Sequence, residues 1–245
     1  MRWKERYSSS FHYQESMKNM YALITQIDQA MKEIVDEVKR LGLYDNTLII
    51  ITADNGMFNG AHGLAGKWYP YQESIRVPLI IHDPRMSTEK KGTVDENFTL
   101  NVDLAETILG AAGLKPNDRM QGRDISNLYL DTFDESGKTA IERDPWRDEF
   151  FYEFTYMDEK SIPSSNALVR KKWKLIDWYA FNESQLFNLE TDPLELNDVK
   201  SDPANLEIVR EMKARLNEMR ENLKEPDIGC ETGPYLIDSE EATPK

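Results

Sequence analysis

A chain of 245 residues with 44 acidic and 30 basic side chains carries a formal net charge of −14 at pH 7, and 40% of it is apolar. That length fits one large domain or one domain with a smaller partner, and 11 Tyr, 9 Phe and 5 Trp supply bulk for a core. The charge repels nucleic acid and anionic membrane at long range, the single cysteine (Cys230) excludes an intrachain disulfide, and no apolar run reaches the roughly 18–20 residues that span a bilayer.

The first residues, MRWKERYSSSFHYQESM, lack the apolar core of a signal peptide, so no export signal is expected in the sequence as written. Residues 13–41 read as one long helix. Met17, Met20, Ile24, Ile27, Met31, Ile34, Val38 and Leu41 recur every three or four positions, with Lys18, Gln26, Lys32, Glu33 and Lys39 between them. Gly42 is the expected left-handed cap. A coiled-coil arm is the alternative, but a strand follows at once, which favours a helix packed on a sheet. That strand, residues 47–53, is apolar without alternation, as expected for a central strand covered on both faces.

A second such strand is expected at residues 77–83, so the order helix, strand, loop, strand predicts an α/β sheet. Residues 101–112 read as a helix closed by Gly113. Residues 115–147 are polar and turn-rich, with a short helical piece near ISNLYL. From Trp146 the texture changes. DEFFYEFTY, SNALVRKKWKLIDWY and SQLFNLETDP interleave charged and aromatic residues, which suits an antiparallel sheet with one wet face. Residues 206–223 form an amphipathic helix, and the remainder is an acidic, turn-rich tail. The expected organisation is therefore an α/β part over residues 1–145, a smaller α+β part over 146–225, and a tail over 226–245.

Chemistry concentrates in TLIIITADNGMFNGAHGLAGKW, residues 47–68. In an open α/β sheet, ligands gather at the carboxyl ends of strands, and Asp54 and Asn55 follow such an end directly. Their side chains offer two hard oxygens, suited to Ca²⁺ or Mg²⁺. Asp-Asn-Gly is equally the composition of a tight turn. His62 and Lys67 in the same glycine-rich loop add a proton or hydrogen-bond donor and a compact positive charge. Together the four residues describe a pocket for a tetrahedral oxyanion such as sulfate or phosphate. Glu73 and Arg76 are spaced to pair with each other and brace the loop.

These residues resemble a known family. DNTLIIITADNG, HGLAGKWYPYQESIRVPLII, NVDLAETILGAAGL and MQGRDI are similar, in order, to landmarks in the second half of type I sulfatases, members of the alkaline phosphatase superfamily. SNALVRKKWKLIDW and QLFNLETDPLELNDV resemble strands of the smaller C-terminal domain of those enzymes. The likeness runs from about residue 12 to residue 223. It implies an incomplete alkaline-phosphatase-like sandwich with a small α+β domain, and a sulfuric ester hydrolase acting on sulfated sugars.

By the same resemblance, Asp54 and Asn55 match the late metal pair, with Ca²⁺ expected and Mg²⁺ the alternative. Lys67 matches the late sulfate-binding lysine, and His62 a substrate-facing histidine. The family's nucleophile is a formylglycine made from Cys or Ser in a C/S-x-P-x-R segment, and this sequence has no such segment. The chain alone is therefore expected to be inactive, with the missing N-terminal half as its expected partner besides a sulfated small molecule or glycan. No nucleic acid or membrane partner is expected. Two other readings stay open: a phosphoester or phosphonate hydrolase of the same superfamily, and a non-catalytic binding remnant. The compartment is left open, with a periplasmic or secreted site compatible with the complete enzyme.

Overall fold

The structure is a computed structural model that describes residues 2–131, 145–155 and 162–223. The chain divides into two units, residues 1–67 with 71–148, and residues 68–70 with 149–245. Cys230 and the acidic tail lie outside the described residues, and so does part of the polar stretch after residue 131. Among the described residues no helix is long and apolar enough to cross a membrane.

The first unit opens with a short helix α1 (Arg2–Tyr7) and the long helix α2 (Ser10–Arg40). Ser9 caps α2 by accepting a hydrogen bond from the His12 amide at 3.2 Å. At the other end Gly42 takes a φ of 70°. Its amide reaches Lys39 O at 2.9 Å and the Leu43 amide reaches Val38 O at 3.0 Å, closing the last carbonyls in a Schellman arrangement. None of the 31 residues of α2 is buried. Ile27 and Ile34, central to the predicted apolar stripe, are 58% and 65% exposed.

Strands β1 (Ile49–Thr52) and, later, β4 (Leu79–His82) follow the two apolar runs. They pair antiparallel, with Ile49 opposite His82 and Thr52 opposite Leu79. Between them come the hairpin β2 (Phe58–Asn59) and β3 (Ala65–Gly66) and the single-turn helix α3 (Gln72–Ile75), which return the chain so that β4 runs against β1. The β1–β4 sheet has two strands, and no residue of either is buried. The expected central strand covered on both faces is therefore not what this chain forms. The apolar sequence of β1 is that of a buried strand, but among the described residues it has β4 as its one paired strand and no residue of the pair is buried.

Helix α4 (Asp103–Ala111) anchors the remainder of this unit, which includes α5 (Ser126–Tyr129). Asp103 is fully buried. Its carboxylate accepts from the Leu100 amide at 2.7 Å, the Arg123 amide at 2.8 Å and Arg147 Nη2 at 2.7 Å, and Arg147 Nη1 completes a forked ion pair. Such a two-pronged guanidinium–carboxylate contact fixes geometry as well as charge. Thr107, on the same helix, accepts from the Ile125 amide at 2.9 Å.

The second unit is an antiparallel sheet in sequence order, β5 (Glu149–Phe154), β6 (Ser165–Arg170), β7 (Trp173–Trp178) and β8 (Glu183–Asn188), followed by α6 (Leu206–Asn222). Leu168, Leu175 and Leu186 from three strands meet Met212 and Leu216 of α6 in one buried cluster. Side chains alternate across a strand, so Ala167, Val169, Ile176 and Phe187 point to the other face, and they are buried too. The expected wet face is thus absent at the centre of the sheet. That second face also carries a buried ion pair, Lys174 Nζ to Glu195 Oε1 at 2.6 Å. Glu149 ties sheet to helix, accepting from Arg170 Nε at 2.8 Å and Arg215 Nε at 2.6 Å. Burial pushes the Glu149 carboxyl up, but the Arg215 and Arg170 hydrogen bonds outweigh it and hold the group below the usual carboxylate range.

Candidate active site

Strand β1 delivers Asp54 and Asn55 two and three residues past its end at Thr52. Gly56 then packs against α3: its amide donates to Ser74 O at 2.8 Å. A Cβ at Gly56 would lie 2.0 Å from Glu73 O, so only glycine permits this approach. The chain next forms the β2–β3 hairpin, with Phe58 opposite Gly66 and Asn59 opposite Ala65. Gly60 (φ 102°) and Gly63 (φ 68°) make the turn at its tip, and His62 itself adopts a left-handed φ of 52°.

Because the hairpin folds back on itself, the residue leaving β3 returns to the strand end it left. Lys67 Nζ donates to Asn55 Oδ1 at 2.7 Å and stands 3.8 Å from Asp54 Oδ2. The other Asp54 oxygen accepts from the Asn55 amide at 2.9 Å, and Asn55 Nδ2 donates to Gly56 O at 2.7 Å. The Asn55 side chain is thereby turned so that its oxygen, not its nitrogen, faces Lys67. Asp54 is 85% exposed, open to any group that approaches the strand end.

Three of the four residues singled out from the sequence thus converge. The donors suit a hard divalent cation: two oxygens already point at one positive charge, the Lys67 ammonium. They supply two of the roughly six to eight oxygens that Ca²⁺ takes, so they fit as part of a metal shell rather than as a whole one.

His62 makes its own contacts at the hairpin tip. Its ring stacks on Tyr71 at 4.1 Å with planes 14° apart, and meets Phe58 edge-on at 6.1 Å. Its Nε2 lies 3.4 Å from Glu73 Oε2. The carboxylate of Glu73 therefore faces His62, where its spacing pointed to Arg76. Sequence reasoning missed Tyr71 and Glu73 as the groups that hold the imidazole, because both reach it only after the hairpin and α3 have folded. The aromatic slot fixes the ring plane, and Glu73 marks the side to which Nε2 is turned.

Residues 1–114 match the sulfatase family, and residues 60–222 match the family described as N-sulphoglucosamine sulphohydrolase, C-terminal. The chain is 28% identical over 220 residues to an N-acetylglucosamine-6-O-sulfatase of Bacteroides thetaiotaomicron, covering 89% of this chain and 38% of that enzyme. A solved structure described as a complex with D-glucosamine-2-N,6-O-disulfate superposes with a TM-score of 0.76 at 27% identity, over 89% of this chain and 43% of that one. A phosphonate monoester hydrolase of Agrobacterium radiobacter superposes with a TM-score of 0.75 at 25% identity, over 87% of this chain and 43% of the hydrolase. The chain thus spans less than half the length of each. The matches run in order along residues 1–222, and the chain belongs to the sulfatase family, with an alkaline-phosphatase-like fold.

Proposed function

We propose that this chain is the C-terminal portion of a sulfuric ester hydrolase that cleaves sulfate esters of a carbohydrate. The observation that carries the reading is the meeting of Asp54, Asn55 and Lys67 beyond β1, two metal-type oxygens and an ammonium in one place. In the assembled enzyme Asp54 and Asn55 hold a divalent cation, Ca²⁺ first and Mg²⁺ second. Bound there, it supplies charge neutralisation for sulfate oxygens. Lys67 places a fixed positive charge against a further sulfate oxygen. His62, held by Tyr71 and turned toward Glu73, donates a hydrogen bond or proton toward the ester oxygen.

The covalent step belongs to residues outside this chain, since its sequence contains no C/S-x-P-x-R segment. The open stripe of α2 (Ile24, Ile27, Ile34) and the two-stranded β1–β4 sheet support an N-terminal half as the partner that covers them. In this reading the 245 residues alone do not turn over sulfate esters. The likeness to a phosphonate monoester hydrolase supports a second reading, in which the same pocket takes a phosphonate ester.

The test uses the protein completed with its N-terminal half, assayed on a chromogenic aryl sulfate, on N-acetylglucosamine 6-sulfate and on an aryl phosphonate. Lys67→Ala should lower kcat/KM for the sulfates by about 10²–10³, the usual cost of removing a fixed group that stabilises developing charge. Asp54→Ala should lower the bound Ca²⁺ measured by elemental analysis. A loss below about threefold for Lys67→Ala would make the lysine a solvated surface charge, and preferential turnover of the phosphonate would favour the second reading.

A further inference from the structure

A cleft of ≈ 590 Å³ opens between α1, the start of α2 and the β2–β3 hairpin, within the first unit. That volume lies inside the range of about 300–1,000 Å³ typical of small-molecule sites. The rings of Trp3, Tyr7 and Tyr13 and the side chains of Gln14, Asn59 and Ala61 are among its lining. Among the described residues none of the lining side chains is charged. We propose that this cleft binds a neutral pyranose ring of the carbohydrate, beside the sulfated position, an inference that rests on the sulfatase reading above.

The lining matches a sugar in both of its surface types. A pyranose presents flat faces of C–H groups and a rim of hydroxyls. The aromatic rings offer flat apolar surface, while the amides of Gln14 and Asn59 each provide both donor and acceptor for hydroxyls. Trp3 and Tyr13 are each 40% exposed, so both rings present surface that a ligand can reach. They are also held in place before any ligand arrives. Trp3 meets Tyr7 edge-on at 5.0 Å, Tyr7 lies 5.9 Å from Tyr13, and the Tyr7 hydroxyl is 3.4 Å from both Phe58 O and Asn59 Oδ1. Preset rings lose little freedom on binding.

Location adds the second argument. Asn59, Gly60 and Ala61 of the cleft run directly into His62 on the same hairpin, and that hairpin ends at Lys67. A sugar chain seated on the aromatic wall therefore abuts the loop that carries the proposed anion-binding charge. The described lining offers uncharged donors and acceptors, which suit a neutral unit, and the sulfate is left to Lys67.

The probe is unsulfated tri-N-acetylchitotriose, titrated calorimetrically into the protein and, separately, into Trp3→Ala, Tyr13→Ala, Gln14→Ala and Lys67→Ala variants whose folding is checked by circular dichroism. The expected result is binding that weakens at least about threefold in the Trp3 and Tyr13 variants, the lower end of what an aromatic contact contributes. Gln14→Ala, which removes no ring packing, should also weaken it, and Lys67→Ala should leave it unchanged. No binding to the folded protein, or binding untouched by Trp3→Ala and Tyr13→Ala, overturns the proposal. Turnover of sulfate esters is measured apart. An enzyme that hydrolyses them but ignores the trisaccharide refutes the cleft alone. A protein completed with its N-terminal half that binds the trisaccharide through Trp3 and cleaves no sulfate refutes the sulfatase reading alone.

Discussion

Gly56→Ala should damage fold and site together, and the cost can be worked from the structure. The added Cβ would sit 2.0 Å from Glu73 O and 3.0 Å from Arg76 O, both backbone atoms that cannot rotate away. Real Cβ contacts stay beyond 3.0 Å, so the Gly56 segment must retreat by at least 1.0 Å (3.0 − 2.0). Moving the amide that far takes its 2.8 Å hydrogen bond to Ser74 O to about 3.8 Å, beyond bonding range. Losing this half-buried hydrogen bond costs about 1–3 kcal/mol, and overpacking adds about 1–3 kcal/mol. A total of about 2–6 kcal/mol corresponds to a fall in Tm of about 4–24 °C for a protein of this size. The same retreat draws Asn55 from Lys67, because Asn55 Nδ2 is bonded to Gly56 O. Thermal unfolding followed by circular dichroism measures the first effect, and kcat/KM of the completed enzyme the second. A Tm within about 2 °C of the parent and unchanged turnover would refute the close packing of Gly56 on α3.

Asp103→Asn should cost about 3–5 kcal/mol in urea unfolding, since it strands the nearly buried Arg147 guanidinium without its counter-ion; a loss below about 1 kcal/mol would show that the pair is not a tether. Glu149 is held below the usual carboxylate range, so its contribution to stability is present above the unfolded value near 4.3 and disappears as pH falls through the lower folded value. Glu149→Gln should therefore lower Tm at pH 7 and by much less near pH 3, and an equal difference at both values would refute the assignment. In the completed enzyme Lys67→Arg should recover only part of the activity lost in Lys67→Ala, because the planar guanidinium is larger and aims its donors differently; full recovery would mean that charge alone matters there.

Local pattern carried much of the architecture. The three- and four-residue recurrence of Met17 through Leu41 marked α2, which forms over Ser10–Arg40, and Gly42 caps it with a positive φ as its lack of a Cβ suggested. The stretches after Trp146 yielded four antiparallel strands and then α6, each close to its expected place, because alternation and amphipathicity are properties of neighbouring residues. What covers an element is not such a property. β1 reads as a buried strand and is not one here, and the sheet of the second unit is buried on a face where its charged residues suggested water.

The candidate site divides in the same way. Sequence alone determined which residues carry the chemistry: two hard oxygens after an apolar strand, then a histidine and a lysine in a glycine-rich loop, are legible as residue types at close spacing. Only the tertiary structure decided that Lys67 returns to Asn55 and Asp54, since that contact depends on the register of the β2–β3 hairpin. It alone decided that Glu73 faces His62 instead of Arg76, and that Tyr71 sets the ring plane. The aromatic cleft is of the same kind: Trp3, Tyr7 and Tyr13 become a wall only once α1 folds against the hairpin. The reason is common to all three. Spacing along the chain limits which residues can meet, but the direction in which each side chain points is set by turns and packing that bring distant segments together.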